Sequence, residues 1–112
     1  MIKSFTIAVR NPERPQNPEI LRYWKEEHAP LAARIIPGVK KYVQNHPVAV
    51  PGIEMDIDRI AEMWWESIDA YQSYLKWRQT EDAKPLLEDE KKFSDPGRRL
   101  RFVAQEYPII ER

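Results

Sequence analysis

Asp56-Ile57-Asp58-Arg59-Ile60-Ala61-Glu62-Met63-Trp64-Trp65-Glu66 is the stretch on which the fold turns. Its side chains alternate with a period of two. Ile57, Ala61, Met63 and Trp65 take one face, and Asp58, Ile60, Glu62 and Trp64 take the other. That is strand periodicity. One indole on each face means that neither side can be left to water without cost.

Upstream lies Pro47-Val-Ala-Val-Pro-Gly-Ile-Glu-Met55, whose prolines and glycine read as a mobile rim loop. Before it, Val39 to Pro47 reads as a strand in which Val39, Lys41 and Val43 alternate with Lys40, Tyr42, Gln44 and His46. Pro37-Gly38 closes a helix that opens with Asn17 as N-cap, Pro18 in its first position and Glu19 in its first turn. Ile20, Trp24, His28, Leu31 and Ile35 share one face of that helix. Pro30 has no amide to donate, so a kink or restart is expected just after His28 and Ala29. A proline-rich loop, Asn11 to Pro15, connects back to a strand over residues 2–10, with Phe5, Ile7 and Val9 opposite Ser4, Thr6 and Ala8.

Downstream, Ser67 caps a second helix bearing Ile68, Tyr71, Leu75 and Arg78 on one stripe. Thr80-Glu81-Asp82 starts a short helical segment through Leu86, Leu87 and Glu90, Phe93 to Gly97 turns, and Leu100 to Ile110 reads as the last strand. The order β-α-β-β-α-(α)-β is the split βαβ, ferredoxin-like arrangement of the α+β class: a four-stranded antiparallel sheet with helices on one face. At 112 residues the chain is expected to be one domain, 1–112. By their apolar content, Phe5, Ile7, Val9, Val39, Val43, Ala61, Met63 and Trp65 are expected to meet the helices. Ser4, Thr6, Tyr42, Gln44, His46, Glu62 and Trp64 are then left on the opposite face. That face needs a pocket, a second sheet from another copy, or both.

Composition removes several function classes. Eighteen basic side chains balance eighteen acidic ones, which gives no excess for nucleic acid. The absence of cysteine removes disulfides, thiolate metal sites and cysteine nucleophiles. No apolar run approaches a membrane span, and the N-terminus passes into strand alternation without a signal-peptide core, so a soluble, cytoplasmic protein is expected. With three glycines, the Gly-rich nucleotide motifs are excluded. Four Trp, five Tyr and three Phe are more aromatic area than one small core readily hides. An oligomer interface or a cavity for a flat organic ligand would use it.

Two histidines bound the search for chemistry. His28, on the apolar helix face beside Pro30, is either a buried histidine satisfied by one partner or an acid–base group reaching a pocket; imidazole has a reference pKa of about 6.5. His46 is either an exposed rim residue or a pocket residue beside Tyr42 and Gln44. Glu62, mid-strand beside Trp64, is either an ion-pair partner at a dimer interface or a carboxylate that trades protons. No ligand spacing supports a metal site. Trp64 is the candidate stacking surface.

Tyr23-Trp24-Lys25-Glu26-Glu27-His28-Ala29-Pro30-Leu31, the segment Pro37-Gly38-Val39-Lys40-Lys41-Tyr42-Val43-Gln44-Asn45-His46, the block Asp58-Arg59-Ile60-Ala61-Glu62-Met63-Trp64-Trp65 and the late Asp89-Glu90-Lys91-Lys92-Phe93 resemble, in order, the EthD family. The resemblance implies a dimeric α+β barrel, in which two four-stranded sheets face each other across a homodimer. It implies cofactor-independent proton transfer on small carbonyl or phenolic compounds in the barrel cavity, as in dehydratases, cyclases and lactone isomerases. His28 and His46 carry over as catalytic candidates, Glu62 is supported by both lines, and Tyr42, Gln44, Trp64, Trp24 and Phe93 are the expected ligand contacts. Two alternatives stand: a non-catalytic accessory protein that binds a hydrophobic metabolite, and an oxidoreductase, monooxygenase-type or haem-binding barrel.

Overall fold

The computed structural model describes the whole chain, Met1–Arg112. Strands β1 (Ile2–Val9), β2 (Lys41–Asn45), β3 (Ile57–Trp65) and β4 (Arg99–Gln105) form one antiparallel sheet in the order β2-β3-β1-β4. Helices α1 (Pro18–Tyr23), α2 (Ala29–Ile35), α3 (Ile68–Trp77) and α4 (Lys84–Glu90) cover one face of it. The ferredoxin-like order expected from the sequence is therefore present. Two strands are shorter than their alternation suggested. Val39, Lys40, His46 and Pro47 lie outside β2, and β4 stops at Gln105, ahead of Pro108. No helix is long and apolar enough to cross a membrane.

The helix starts are built as their sequences dictate. Asn17 Oδ1 accepts from Ile20 N–H at 3.0 Å, with Pro18 in the first turn, and Ser67 Oγ accepts from Ala70 N–H at 3.1 Å. The break expected at Pro30 takes another form. A π-helical turn, Trp24–His28, joins α1 to α2 ahead of the proline, and Ala29 N–H reaches back to Trp24 O. The wide turn absorbs the hydrogen bond that Pro30 cannot make, so the helix runs on instead of restarting. Trp24 and His28, at the two ends of this turn, are both buried.

The register decides which residues share a face, because directly paired residues point to the same side. Across β1 and β3, Ser4 pairs with Met63, Thr6 with Ala61 and Ala8 with Arg59; across β2 and β3, Tyr42 pairs with Met63 and Gln44 with Ala61. Ile2, Tyr42 and Met63 pack against the helix-side core. The helix-covered face thus carries Ser4, Thr6, Ala8, Tyr42, Gln44, Arg59, Ala61, Met63 and Trp65. Phe5, Ile7, Val43, Glu62 and Trp64 look the other way.

This corrects the sequence-based assignment for β1, and for Tyr42, Val43 and Gln44 of β2, whose faces are exchanged; Val39, ahead of β2, packs against the helix-side core as expected, and β3 has the expected orientation over Ala61, Met63 and Trp65. The reason is steric. Trp65 is wholly buried on the helix side and donates its indole N–H to Ser4 Oγ at 2.9 Å, so the central strand must be small there. Ile57 also changes sides: the register slips at Ala8/Val9, which sets Ile57 against Val9 and leaves Asp58 as the extra residue. Trp65 packs at a tilt against Tyr74 with centroids 4.8 Å apart and, with Ala32, Ile36 and Leu86, completes the core. Gly38, with φ of +78°, makes the turn that brings the chain from α2 into β2 under Trp65. The open face has no cover within the chain: Leu100 is 57% and Phe102 47% exposed.

Candidate active site beneath the helices

The π-turn delivers His28 to α4. His28 Nδ1 lies 2.8 Å from Asp89 Oδ2, and the Tyr23 hydroxyl donates to the other oxygen, Asp89 Oδ1. Lys92 Nζ stands 3.4 Å from the same carboxylate. Burial alone would raise the Asp89 pKa, but the hydrogen bonds from Tyr23 and His28, with the charge of His28 added, hold it below the ordinary carboxylate range. An ionised Asp89 requires a proton on Nδ1 and leaves Nε2 as the free ring nitrogen. Nε2 has no protein partner. Since no sealed-off side-chain polar atom lacks one, it opens on accessible space. Phe93 packs edge-on against the imidazole at 4.5 Å and fixes its plane.

His28 lines a cavity of about 60 Å³ between sheet and helices. Thr6, Ala8 and Ala61 form its floor, and Trp24, His28, Tyr42, Tyr74 and Phe93 supply apolar and hydroxyl-bearing wall. Four arginines (Arg59, Arg78, Arg99, Arg101) and one carboxylate, Glu90, also line it. Arg78 makes a bidentate pair with Glu90 at 2.8 and 2.9 Å, and Arg99 reaches the same carboxylate at 3.3 Å. Burial opposes charge on Glu90, but the Arg78 contacts win and its pKa is lowered. The Tyr42 hydroxyl accepts from Gln44 Nε2 at 2.9 Å, and burial pushes its pKa up to about 12, so it stays a proton donor at neutral pH.

The sequence candidates separate into two groups. His28, Trp24, Tyr42 and Phe93 all line the cavity, and Gln44 braces it by donating to Trp24 O at 2.9 Å. His46 stands behind this wall: its ring lies 4.9 Å from that of Trp24 and its Nε2 is 2.9 Å from Gln44 Oε1. Burial, then the charge of Lys25, lowers the His46 pKa. His46 also lines an outer cleft of about 440 Å³ with Asn45, Pro47 and residues 54–60. Glu62 and Trp64 are on the open face, away from the histidines. Glu62 pairs with Lys3 at 3.0 Å and accepts from Asn45 Nδ2 at 3.2 Å; Lys3 and Lys41 each sit over the Trp64 indole.

Asp89, Tyr23, Arg59, Arg78 and Glu90 are not among the site residues expected from the sequence, although all but Arg78 lie in the stretches that carry the EthD resemblance. Asp89 follows Leu86 by three residues and so shares its helix face; a carboxylate beside that buried leucine is the same signal that marked His28. Arg59 has the strand parity of Ala61, Met63 and Trp65, an inward-facing cation. No group of three or more His, Asp or Glu side chains forms a metal-ligand set.

This architecture recurs in solved structures. A protein of the ethyl tert-butyl ether degradation (EthD) family from Bacillus halodurans C-125 superposes with a TM-score of 0.70 at 20% identity, over 96% of this chain and 99% of that one. A dimeric protein of unknown function and ferredoxin-like fold from Bacteroides fragilis NCTC 9343 gives 0.62 at 12% identity, over 94% and 95%. A DABB family protein with a ferredoxin-like fold from Mesorhizobium loti MAFF303099 gives 0.56 at 16%, over 95% and 97%. At these identities the likeness is one of fold. No curated protein matches the sequence. The EthD domain model matches residues 16–97, which include the π-turn, β2, β3 and the Asp89 helix, and the chain belongs to the EthD family.

Proposed function

We propose that the chain is a cofactor-independent lyase or isomerase that moves a proton on a small carbonyl or phenolic compound, and that it works as a homodimer. The observation that carries this reading is the His28–Asp89 pair on the cavity wall, in which Nδ1 is engaged and Nε2 has no protein partner. Nε2 takes a proton from the carbon beside the substrate carbonyl, Asp89 stabilises the imidazolium that forms, and the same nitrogen returns the proton elsewhere on the substrate. The Tyr42 hydroxyl donates to the developing enolate oxygen. Tyr23, Gln44 and His46 are positioning residues, the first holding Asp89 and the other two holding Tyr42 and Trp24. The reacting end of the substrate enters the inner cavity, and the remainder lies in the outer cleft, which shares Arg59 with it.

Dimerisation is supported by the uncovered apolar face and by solved neighbours described as dimeric. Deuterium exchange into small ketones and β-dicarbonyls, followed by NMR, tests the chemistry. His28→Ala is expected to lower exchange by about two to four orders of magnitude. Exchange that proceeds equally well without His28 excludes it as the base.

A second reading is favoured by one feature. Val48, Val50, Ile53 and Met55 expose apolar side chains in the loop leading to the outer cleft, as a carrier of a hydrophobic metabolite would. It predicts affinity that depends on those residues and is indifferent to His28.

A further inference from the structure

We propose that the inner cavity is a carboxylate-binding site, in which Arg59 and Arg101 hold the anionic end of an organic acid above Thr6 and Ala8. The pairing of the strands builds the site. Arg59, Ala8 and Arg99 form one row across β3, β1 and β4, and Ala61, Thr6 and Arg101 form the next. Neighbouring strands lie about 4.8 Å apart, so Arg59 and Arg101, on the two flanking strands and one row apart, stand diagonally across roughly 10 Å of floor made by the small residues Thr6 and Ala8. Arg78, the C-cap of α3, and Glu90 from α4 close the far wall, and His28 enters from the π-turn.

The charges do not balance. Glu90 is the one carboxylate on the wall, and it is already shared by Arg78 and Arg99. Neither Arg59 nor Arg101 belongs to any ion pair. Arg59 is 7% exposed, lies between the rings of Trp24 and Phe93 at 5.7 and 5.3 Å, and donates only to neutral oxygens: Gln16 Oε1 at 2.8 Å and Phe93 O at 3.0 Å. Asp58, its neighbour in sequence, makes no ion-pair contact with it. Burial lowers the pKa of both arginines, and Arg78 and Arg99 add to the effect at Arg101. For Arg59, a cation taken out of water without a counter-ion is costly, and an anionic ligand removes that cost; Arg101, exposed at the rim, adds an unpaired cation at the mouth of the cavity. The chain as a whole is neutral, so the excess belongs to this cavity and not to general basicity.

The ligand is a monoanion with a flat head. A carboxylate fits the fork of a guanidinium, and the Trp24 and Phe93 rings already hold that of Arg59 in place. A phosphate dianion would meet the Glu90 carboxylate in a cavity of only about 60 Å³. The consequence for chemistry is orientation: the acid group anchors at Arg59 and Arg101, and the carbonyl carbon chain is presented to His28 Nε2. That last step rests on the proton-transfer reading; the binding site does not.

The test is titration of the full chain with acetoacetate, its neutral methyl ester and inorganic phosphate, read by NMR shift perturbation. Acetoacetate is expected to bind roughly 10- to 100-fold more tightly than the ester, the value of a charge-assisted pair. Arg59→Met and Arg101→Met should each abolish that preference, and His28→Ala should retain it. Arg101 is exposed at the rim, so its variant carries the test even if Arg59→Met is too unstable to study. Equal binding of acid and ester, no binding of either, tighter binding of phosphate, or a preference that survives both arginine variants overturns the proposal. Carboxylate binding without deuterium exchange would leave the site standing and remove the proton-transfer reading instead.

Discussion

The two faces of the sheet are built on opposite rules. Beneath the helices the central strand offers Ser4, Thr6 and Ala8, and around these small residues gather Trp65, the arginines and the His28–Asp89 pair. On the open face the same strand offers Lys3, Phe5 and Ile7, with Phe5 stacked on Phe102 at 4.5 Å. The side with the larger apolar residues is the side the chain leaves bare. Small residues on the covered face make room for one large indole and for a polar cavity, whereas large ones on the bare face make a surface that another sheet can cover. Hydrophobicity alone therefore points to the wrong face when a site is buried and an interface is not.

The largest way to break this comparison uses the adjacent tryptophans. Trp65 is fully buried, and Trp65→Ala should cost about 3–5 kcal/mol of folding free energy, read by urea unfolding. A loss below about 1 kcal/mol would mean that the small residues of β1 do not create a tightly filled core.

Glu90 comes next. Removing it strands Arg78 among buried groups, so Glu90→Gln should cost about 3 kcal/mol at neutral pH, the low end for a broken buried pair, since Glu90 keeps some solvent contact. Glu90 and Asp89 both have folded-state pKa values below their ordinary range. Groups shifted this way contribute stability above their unfolded pKa of about 4, and the contribution is lost as pH falls through the folded values. Unfolding measured at a series of pH values should show wild type losing stability below about pH 4 more steeply than Glu90→Gln. Parallel curves would remove the pair from the acid limb.

Much of the fold was legible because it is local. Asn17 and Ser67 announce their helices through cap chemistry, and the parity of Ala61, Met63 and Trp65 needs only a period of two. His28 stood out because an imidazole interrupted an apolar stripe. The orientation of β1 was not legible, because alternation defines two faces without saying which one the helices cover. Trp65 settles that question through contact with Ser4, a residue 61 positions away. The partner of His28 was hidden for the same reason: Asp89 is also 61 positions away, and only the packing of α4 against the π-turn joins them. Glu62 and Trp64 were read with the site because β3 was oriented correctly while β2 was not. That single exchange moved Tyr42 and Gln44 to the wrong companions.

The smallest expected effect on the isolated chain is also the sharpest test of the open face. Phe102 is 47% exposed and contributes mainly one cross-strand stack with Phe5. Phe102→Lys should therefore cost a lone chain only about 1 kcal/mol or less. In a homodimer built on this face the same substitution sets a charge into the buried apolar centre of the interface, where it has no counter-ion. Sedimentation should then find the variant monomeric at micromolar concentrations at which wild type is dimeric, with a cavity that still binds. The stability difference between the two proteins should grow with concentration, because only wild type gains from association. A Phe102→Lys chain that remains dimeric would place the interface elsewhere, and the large apolar residues of β1 would then need another occupant.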